Sequence, residues 1–144
     1  MATFIVGFGN RGFFPPEYMA EARREIPAVL KKLKHKALLM DENATRLGAV
    51  ETRQEGDLFA QFIQANRGKY DGIIWTHPNF GDEVGMRRAL RAAGRRGDRI
   101  LLHAYPDDMD RMGPDERRDS FCGIVSTMDV LYQMGVPFIK LKPN

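Results

Sequence analysis

Gly7-Phe8-Gly9-Asn10-Arg11-Gly12 has the G-x-G-x-x-G spacing that lets a backbone approach a pyrophosphate. Asp41 ends the next apolar run, where a ribose-binding carboxylate would stand. The residues that follow speak against a dinucleotide. The third glycine of that fingerprint should already lie in a helix, whereas Phe13-Phe14-Pro15-Pro16 delays the helix to Pro16. Beside that disfavoured nucleotide site, two readings stand for the loop. It is a tight turn that glycine permits, or it carries Arg11 into a polar ligand site.

The three histidines, His35, His77 and His103, form no short metal-binding pair. His35 falls between a helical and an extended stretch and is expected at the surface. His77 and His103 end neighbouring apolar runs and could meet Asp107 and Asp108, either as a metal site or as an ordinary hydrogen-bonded loop cluster. Ser120 and Ser126 lack the G-x-S-x-G elbow of a nucleophilic serine, and no P-loop is present. Trp75-Thr76-His77 closes the third apolar run where a phosphoacceptor receiver would have an aspartate. Cys122, the one cysteine, rules out an internal disulfide. It sits in a helical stretch among apolar residues and is expected to be buried and structural. The basic stretch Met86–Arg96 lacks interleaved aromatics, so it reads as a solvated face or a subunit contact rather than a nucleic-acid surface.

Positioning these residues requires an alternating fold. Five short apolar runs, Thr3–Phe8, Lys36–Met40, Gly72–Thr76, Arg99–Ala104 and Pro137–Leu141, lack a polar alternation, as strands covered on both faces do. Helical spacing fills Pro16–Lys34, with Pro27 expected to kink it, then Ala49–Asn66, Asp82–Ala93 and Ser120–Met134. The order β-α-β-α-β-α-β-α-β with right-handed crossovers predicts an α/β, Rossmann-like (flavodoxin-like) three-layer sandwich, with a five-stranded parallel sheet in the order 2-1-3-4-5. Ligands gather at the carboxyl ends of such strands. That places residues 9–16, 41–48, 77–82 and 105–119 at the working edge.

The chain is 144 residues, 43% hydrophobic and 28% charged, with a net charge of +3. Residues 1–144 therefore read as one domain able to bury its own core. No apolar stretch approaches a membrane span, and the N-terminus has no basic leader, so a signal peptide is not expected and a cytoplasmic location is. Pro143 and Asn144 directly follow the last run, where a linker to another domain could begin.

Three loop motifs, taken together, point further. They are Gly9-Asn10-Arg11-Gly12-Phe13-Phe14-Pro15, Pro78-Asn79-Phe80-Gly81-Asp82-Glu83, and Arg117-Arg118-Asp119-Ser120-Phe121-Cys122-Gly123. In order, spacing and placement the chain resembles the N-terminal domain of the L-fucose/L-arabinose isomerase family over nearly its whole length. Gly48-Ala49-Val50-Glu51-Thr52 and His103-Ala104-Tyr105-Pro106-Asp107-Asp108 are similar too. The resemblance implies a metal-dependent aldose–ketose isomerase, using Mn²⁺ or another divalent metal, usually a homo-oligomer. It also implies that the metal-binding side chains belong to later domains, leaving no catalytic residue, metal ligand or cofactor site in this chain. By resemblance Arg11, Asn79 and Phe80 contact the sugar substrate.

The leading expectation is thus a substrate-side and assembly domain of a sugar isomerase, inactive alone, whose partners are the sugar and the remaining domains, with neither nucleic acid nor membrane. A stand-alone sugar- or nucleotide-binding module and a purely structural assembly domain are the alternatives. Phe13, Phe14 and Phe80 would either pack on a sugar's apolar face or fill core and interface.

Overall fold

The computed structural model describes residues 1–140. Strand β1 (Thr3–Phe8) runs into helix α1 (Pro16–Lys32), then β2 (Lys36–Leu39), α2 (Arg53–Ala65), β3 (Gly72–His77), α3 (Glu83–Arg95), β4 (Ile100–Ala104), α4 (Ser120–Gln133) and β5 (Ile139–Lys140). All four pairings are parallel, and the sheet order is β2-β1-β3-β4-β5. This is the α/β three-layer sheet expected from the sequence. Leu141, Pro143 and Asn144 lie outside the described residues.

The helices divide unequally. Helices α2, α3 and α4 press Phe59, Ile63, Met86, Leu90 and Leu131 onto one face of the sheet, against Ile5, Ile73, Trp75, Ile100 and Leu102. Helix α1 covers the other face with Met19, Ala22 and Leu30 on Val6, Phe8 and Ile74. Pro16 sits in its first turn, where no helical N–H is needed, and Pro27 lies inside it rather than ending it.

The second helix starts later than residue 49. Ala49 and Val50 leave a short 3₁₀ turn at Arg46–Gly48, and Val50 forms an isolated parallel bridge with Gly9. The helix begins only after Thr52, whose hydroxyl accepts from the Glu55 N–H while Glu55 reaches back to the Thr52 N–H. That reciprocal cap satisfies two otherwise orphan donors and fixes the start. The third helix runs two residues past Ala93 to Arg95. Gly94 is buried against Val136 instead of ending the helix, and Gly97 (φ +82°) makes the turn beyond.

Helices α2 and α3 meet backbone to backbone. A Cβ on Gly56 would lie 2.2 Å from the Gly85 carbonyl oxygen, and one on Gly85 2.7 Å from the Thr52 oxygen. The pair holds α3 close enough that Arg88 Nε binds Asp57 at 2.7 Å. It also fixes the first turn of α3 at the carboxyl edge of the sheet.

Candidate functional site

The glycines of the first loop answer to Trp75. A Cβ on Gly7 would stand 2.5 Å from Trp75 Cε3 and 2.9 Å from Phe59 Cζ, and one on Gly9 3.2 Å from Trp75 Nε1. Gly7 lies inside β1, with no φ above zero, and Gly9 donates its N–H to the Thr76 carbonyl at 3.0 Å. Both glycines are therefore set by a buried indole in the neighbouring strand. The chain then turns through Arg11 to Phe14, closed by the Phe14 N–H on the Arg11 carbonyl at 3.0 Å, before α1 begins.

Three loops interlock at the carboxyl edge. Asn79, fully buried, donates through Nδ2 to Asn10 Oδ1 and to the Pro15 carbonyl, both at 2.9 Å. Asn10 passes the link on, through its own Nδ2, to Glu51 Oε1 at 2.5 Å, and Arg46 clasps the same carboxylate. The amide of Asn79 thus brackets the first and third loops instead of facing the surface. The R-R-D-S-F-C-G segment closes on the third loop from the other side. The Arg118 carbonyl accepts the Phe80 N–H at 2.7 Å, and Ser120 Oγ donates to the Pro78 carbonyl at 3.0 Å. A Cβ on Gly123 would lie 3.0 Å from Phe80 Cα. Two of the three segments that carried the resemblance are thus pressed against each other, and the first is tied to them by the buried Asn79 amide and by the Asp82 N–H on the Asn10 carbonyl at 3.2 Å.

His77 sits beneath this junction. It is buried, its Nε2 is hydrogen-bonded to Thr127 Oγ1 at 2.9 Å, and Gly81 and Gly123 close over the ring. Burial drives its pKa down to about 4, against a smaller upward pull from the Asn79 backbone; Nδ1 makes no hydrogen bond of good geometry. The imidazole is neutral at pH 7. His103 is held by Thr76 Oγ1 at 2.7 Å, and burial lowers its pKa as well.

The remaining carboxylates accept backbone N–H groups. Asp107 accepts from the Ser120 and Phe121 N–H groups at 2.9 and 3.2 Å, Asp82 Oδ1 from the Gly85 N–H at 2.7 Å, and Asp41 from the Asn43 N–H. Among the described residues no three His, Cys, Asp or Glu side chains cluster as metal ligands. His77 and His103 do not converge with Asp107 and Asp108 as a ligand set among the described residues: the free Nδ1 of His77 is covered by Gly81 and Gly123, and Asp107 is bound to the first N–H groups of α4. These residues do not fit a divalent metal.

Arg11 is the group that reaches outward. Its guanidinium lies 4.2 Å above the centre of the Phe80 ring and pairs with Glu83 at 2.5 Å. Ser126 Oγ donates to the other Glu83 oxygen at 2.7 Å. Burial on its own would raise the Glu83 carboxyl, but the bonds from Ser126 and Arg11 outweigh it and hold it below its ordinary value. Arg11 and Glu83 are each about one-third exposed, so a preformed donor and acceptor sit side by side on an aromatic floor. Phe14 is buried beneath and stacks on Phe80 at 6.3 Å, whereas Phe13 is 75% exposed. Exposed Phe121 lies in the first turn of α4.

Arg11 and Phe80 are therefore brought together, while Asn79 lies under them. Glu83 and Ser126 complete the group without having stood out in sequence. Glu83 ends the second loop motif, but Ser126 carries no signal beyond its place on α4. Two other expectations are corrected. Cys122 is exposed, because α4 turns Ser120, Gly123, Thr127 and Leu131 inward and leaves Cys122 on the outer side. His35 is partly buried, accepting the Ala2 N–H at Nδ1 and packing edge-on against Phe4. No helix among the described residues is long and apolar enough to cross a membrane.

The family model for the fucose/sulfoquinovose isomerase N-terminal domain matches residues 5–144, and the chain belongs to that family. No curated protein matches it.

Proposed function

From this membership we propose that the chain is the substrate-side and assembly domain of an aldose–ketose isomerase whose catalytic groups lie in its other domains. The observation that carries the reading is Arg11, braced by Glu83 and laid over Phe80 at the carboxyl edge of the parallel sheet. Such an edge is where α/β sheets take ligands. A guanidinium donates to sugar oxygens, a carboxylate accepts from sugar hydroxyls, and an aromatic ring covers the C–H face. Arg11 and Phe80 are the substrate contacts, and Asn79 is the buried bracket that sets their height above the sheet.

Aldose–ketose exchange moves a hydrogen between adjacent carbons, which calls for a base, an acid and polarisation of the two oxygens. Asp82 and Asp107 are bound to helix N–H groups, and His77 is buried. A divalent ion such as Mn²⁺, if the reaction uses one, would be held by residues of other domains. A free-standing sugar-binding role would use the same three side chains and differs in needing no further domain.

The test compares ketose formation from a panel of aldoses, fucose and arabinose included, by this chain alone and by a protein that joins it to the remaining domains of the isomerase. No turnover is expected from the chain alone, and turnover from the joined protein. In the joined protein Arg11→Ala should lower kcat/KM by about ten- to a hundredfold, as loss of a charged hydrogen bond of roughly 1.5–3 kcal/mol does, with an unchanged melting temperature. Turnover by this chain at about 1 s⁻¹ would overturn the reading.

A further inference from the structure

The charge of this molecule is concentrated. Residues 87–96 hold five arginines and no carboxylate, leaving seventeen basic side chains against nineteen acidic ones elsewhere. Arg88 and Arg96 are neutralised locally by Asp57 and Asp98. Arg87, Arg91 and Arg95 are exposed, stand four residues apart on one stripe of α3, and face no carboxylate within salt-bridge distance among the described residues. Like charges at that spacing destabilise a helix, so an outside counter-charge would be favourable. The stripe forms one wall of a groove between α3 and α4. Met134 and Val136 line it beside the arginines, and it continues past exposed Val84 to Glu83, a carboxylate already held by Arg11 and Ser126. Arginine and methionine around an apolar floor is the composition of a protein-binding surface, and nucleic-acid grooves interleave aromatics that this one lacks.

The complementary surface is on the same chain. Residues 106–116 carry five carboxylates and one arginine around two outward methionines, Met109, 80% exposed, and Met112. Asp107 is spent as the cap of α4, but the side chains of Asp110 and Asp115 are exposed and make no ion pair among the described residues. The loop does not lie in its own groove. It is tied to the α1 side of the sheet, by the Tyr18 hydroxyl on the Glu116 carbonyl at 3.0 Å and by Arg118 stacked 3.8 Å over the Tyr18 ring, whereas α3 and α4 cover the opposite side.

We propose that the 106–116 loop of one copy docks in the α3–α4 groove of a second copy, with Asp110 and its neighbours against Arg87, Arg91 and Arg95 and the methionines on the apolar floor. Loop and groove are different surfaces of the chain, so copies joined this way pair reciprocally, close into a ring or extend. The inference does not depend on the function of the Arg11 site.

Sedimentation velocity on the full chain tests it. The wild type should self-associate at low salt and dissociate as screening shortens to about 3 Å near 1 M salt. Arg87→Glu/Arg91→Glu should weaken association about tenfold or more, and Asp108→Arg/Asp110→Arg equally, each variant retaining the wild-type melting temperature and circular dichroism. Mixing the two variants should restore association, since each then meets an oppositely charged partner. A wild type that stays monomeric, variants that associate as it does, or a mixture that stays monomeric would each overturn the proposal. Inorganic phosphate or an oligonucleotide shifting the arginine variant's wild-type counterpart without self-association would assign the groove to another anion and overturn it too.

Discussion

Trp75 explains more of the first loop than any ligand does. The indole is fully buried, and the strand beside it has no room for a side chain at Gly7. Gly7→Ala should therefore overpack the core and cost about 1–3 kcal/mol. Urea unfolding measures it, and a variant as stable as the wild type would show that Trp75 moves aside freely. The G-x-G-x-x-G spacing was legible and its meaning was not, because sequence cannot distinguish a glycine cleared for a phosphate from one cleared for a neighbouring strand. Arg11 stands out in sequence as a charged residue in a strand-end loop, and the partner it finds within the chain is Glu83 on the first turn of α3. Asn79 looked alike on paper, yet it turns inward because the backbone of the first loop needs a donor there. Cys122 shows the limit of residue type. Its apolar neighbours suggested burial, but the inward stripe of α4 passes through Gly123 and Thr127 instead.

Periodicity and caps mark an element where they agree, and fail where a loop borrows a strand's bonds. All five strands were found, since parallel strands covered on both faces leave unbroken apolar runs. The stretch 49–52 carries helical spacing but is not helix, because Val50 takes part in an isolated bridge to Gly9, a long-range event that no local pattern reports. Helix α4 adds a case of its own. Its N-cap residue, Asp119, is left-handed at φ 50° and makes no side-chain cap bond. Asp107, on the preceding loop, accepts the first N–H groups in its place. Asp107→Ala should cost about 0.5–2 kcal/mol, as loss of an N-cap does. It should also raise amide exchange in Ser120 and Phe121 ahead of the rest of α4. Uniform protection along the helix in the variant would show that the remote cap contributes little.

At the scale of the molecule, the carboxyl edge hangs on one buried, neutral ring. His77 lies where β3, the 78–82 loop and α4 converge, so charging it disturbs all three at once. The groups around it are Thr127 on α4, the Asn79 backbone, and, at longer range, His103 and Glu83. Its pKa falls from an unfolded value near 6.5 to about 4 in the folded chain, chiefly through burial. Between those values the unfolded chain binds a proton that the folded chain does not, and stability must rise with pH across that window. The stabilisation is complete above about pH 6.5 and is lost as pH falls toward 4, a loss of about 2 kcal/mol between pH 7 and pH 5 for this one group. His103, whose pKa is lowered by burial, acts with the same sign, and Glu83, held below its ordinary value, adds to the loss at lower pH still. Urea midpoints at pH 7 and pH 5 measure the sum. His77→Gln keeps a hydrogen-bonding partner for Thr127 but cannot titrate, so its pH slope between 7 and 5 should be markedly flatter than that of the wild type. An equal slope in the two proteins would mean that the acid sensitivity of the fold resides elsewhere, and that the ring under the candidate site takes up its proton without cost.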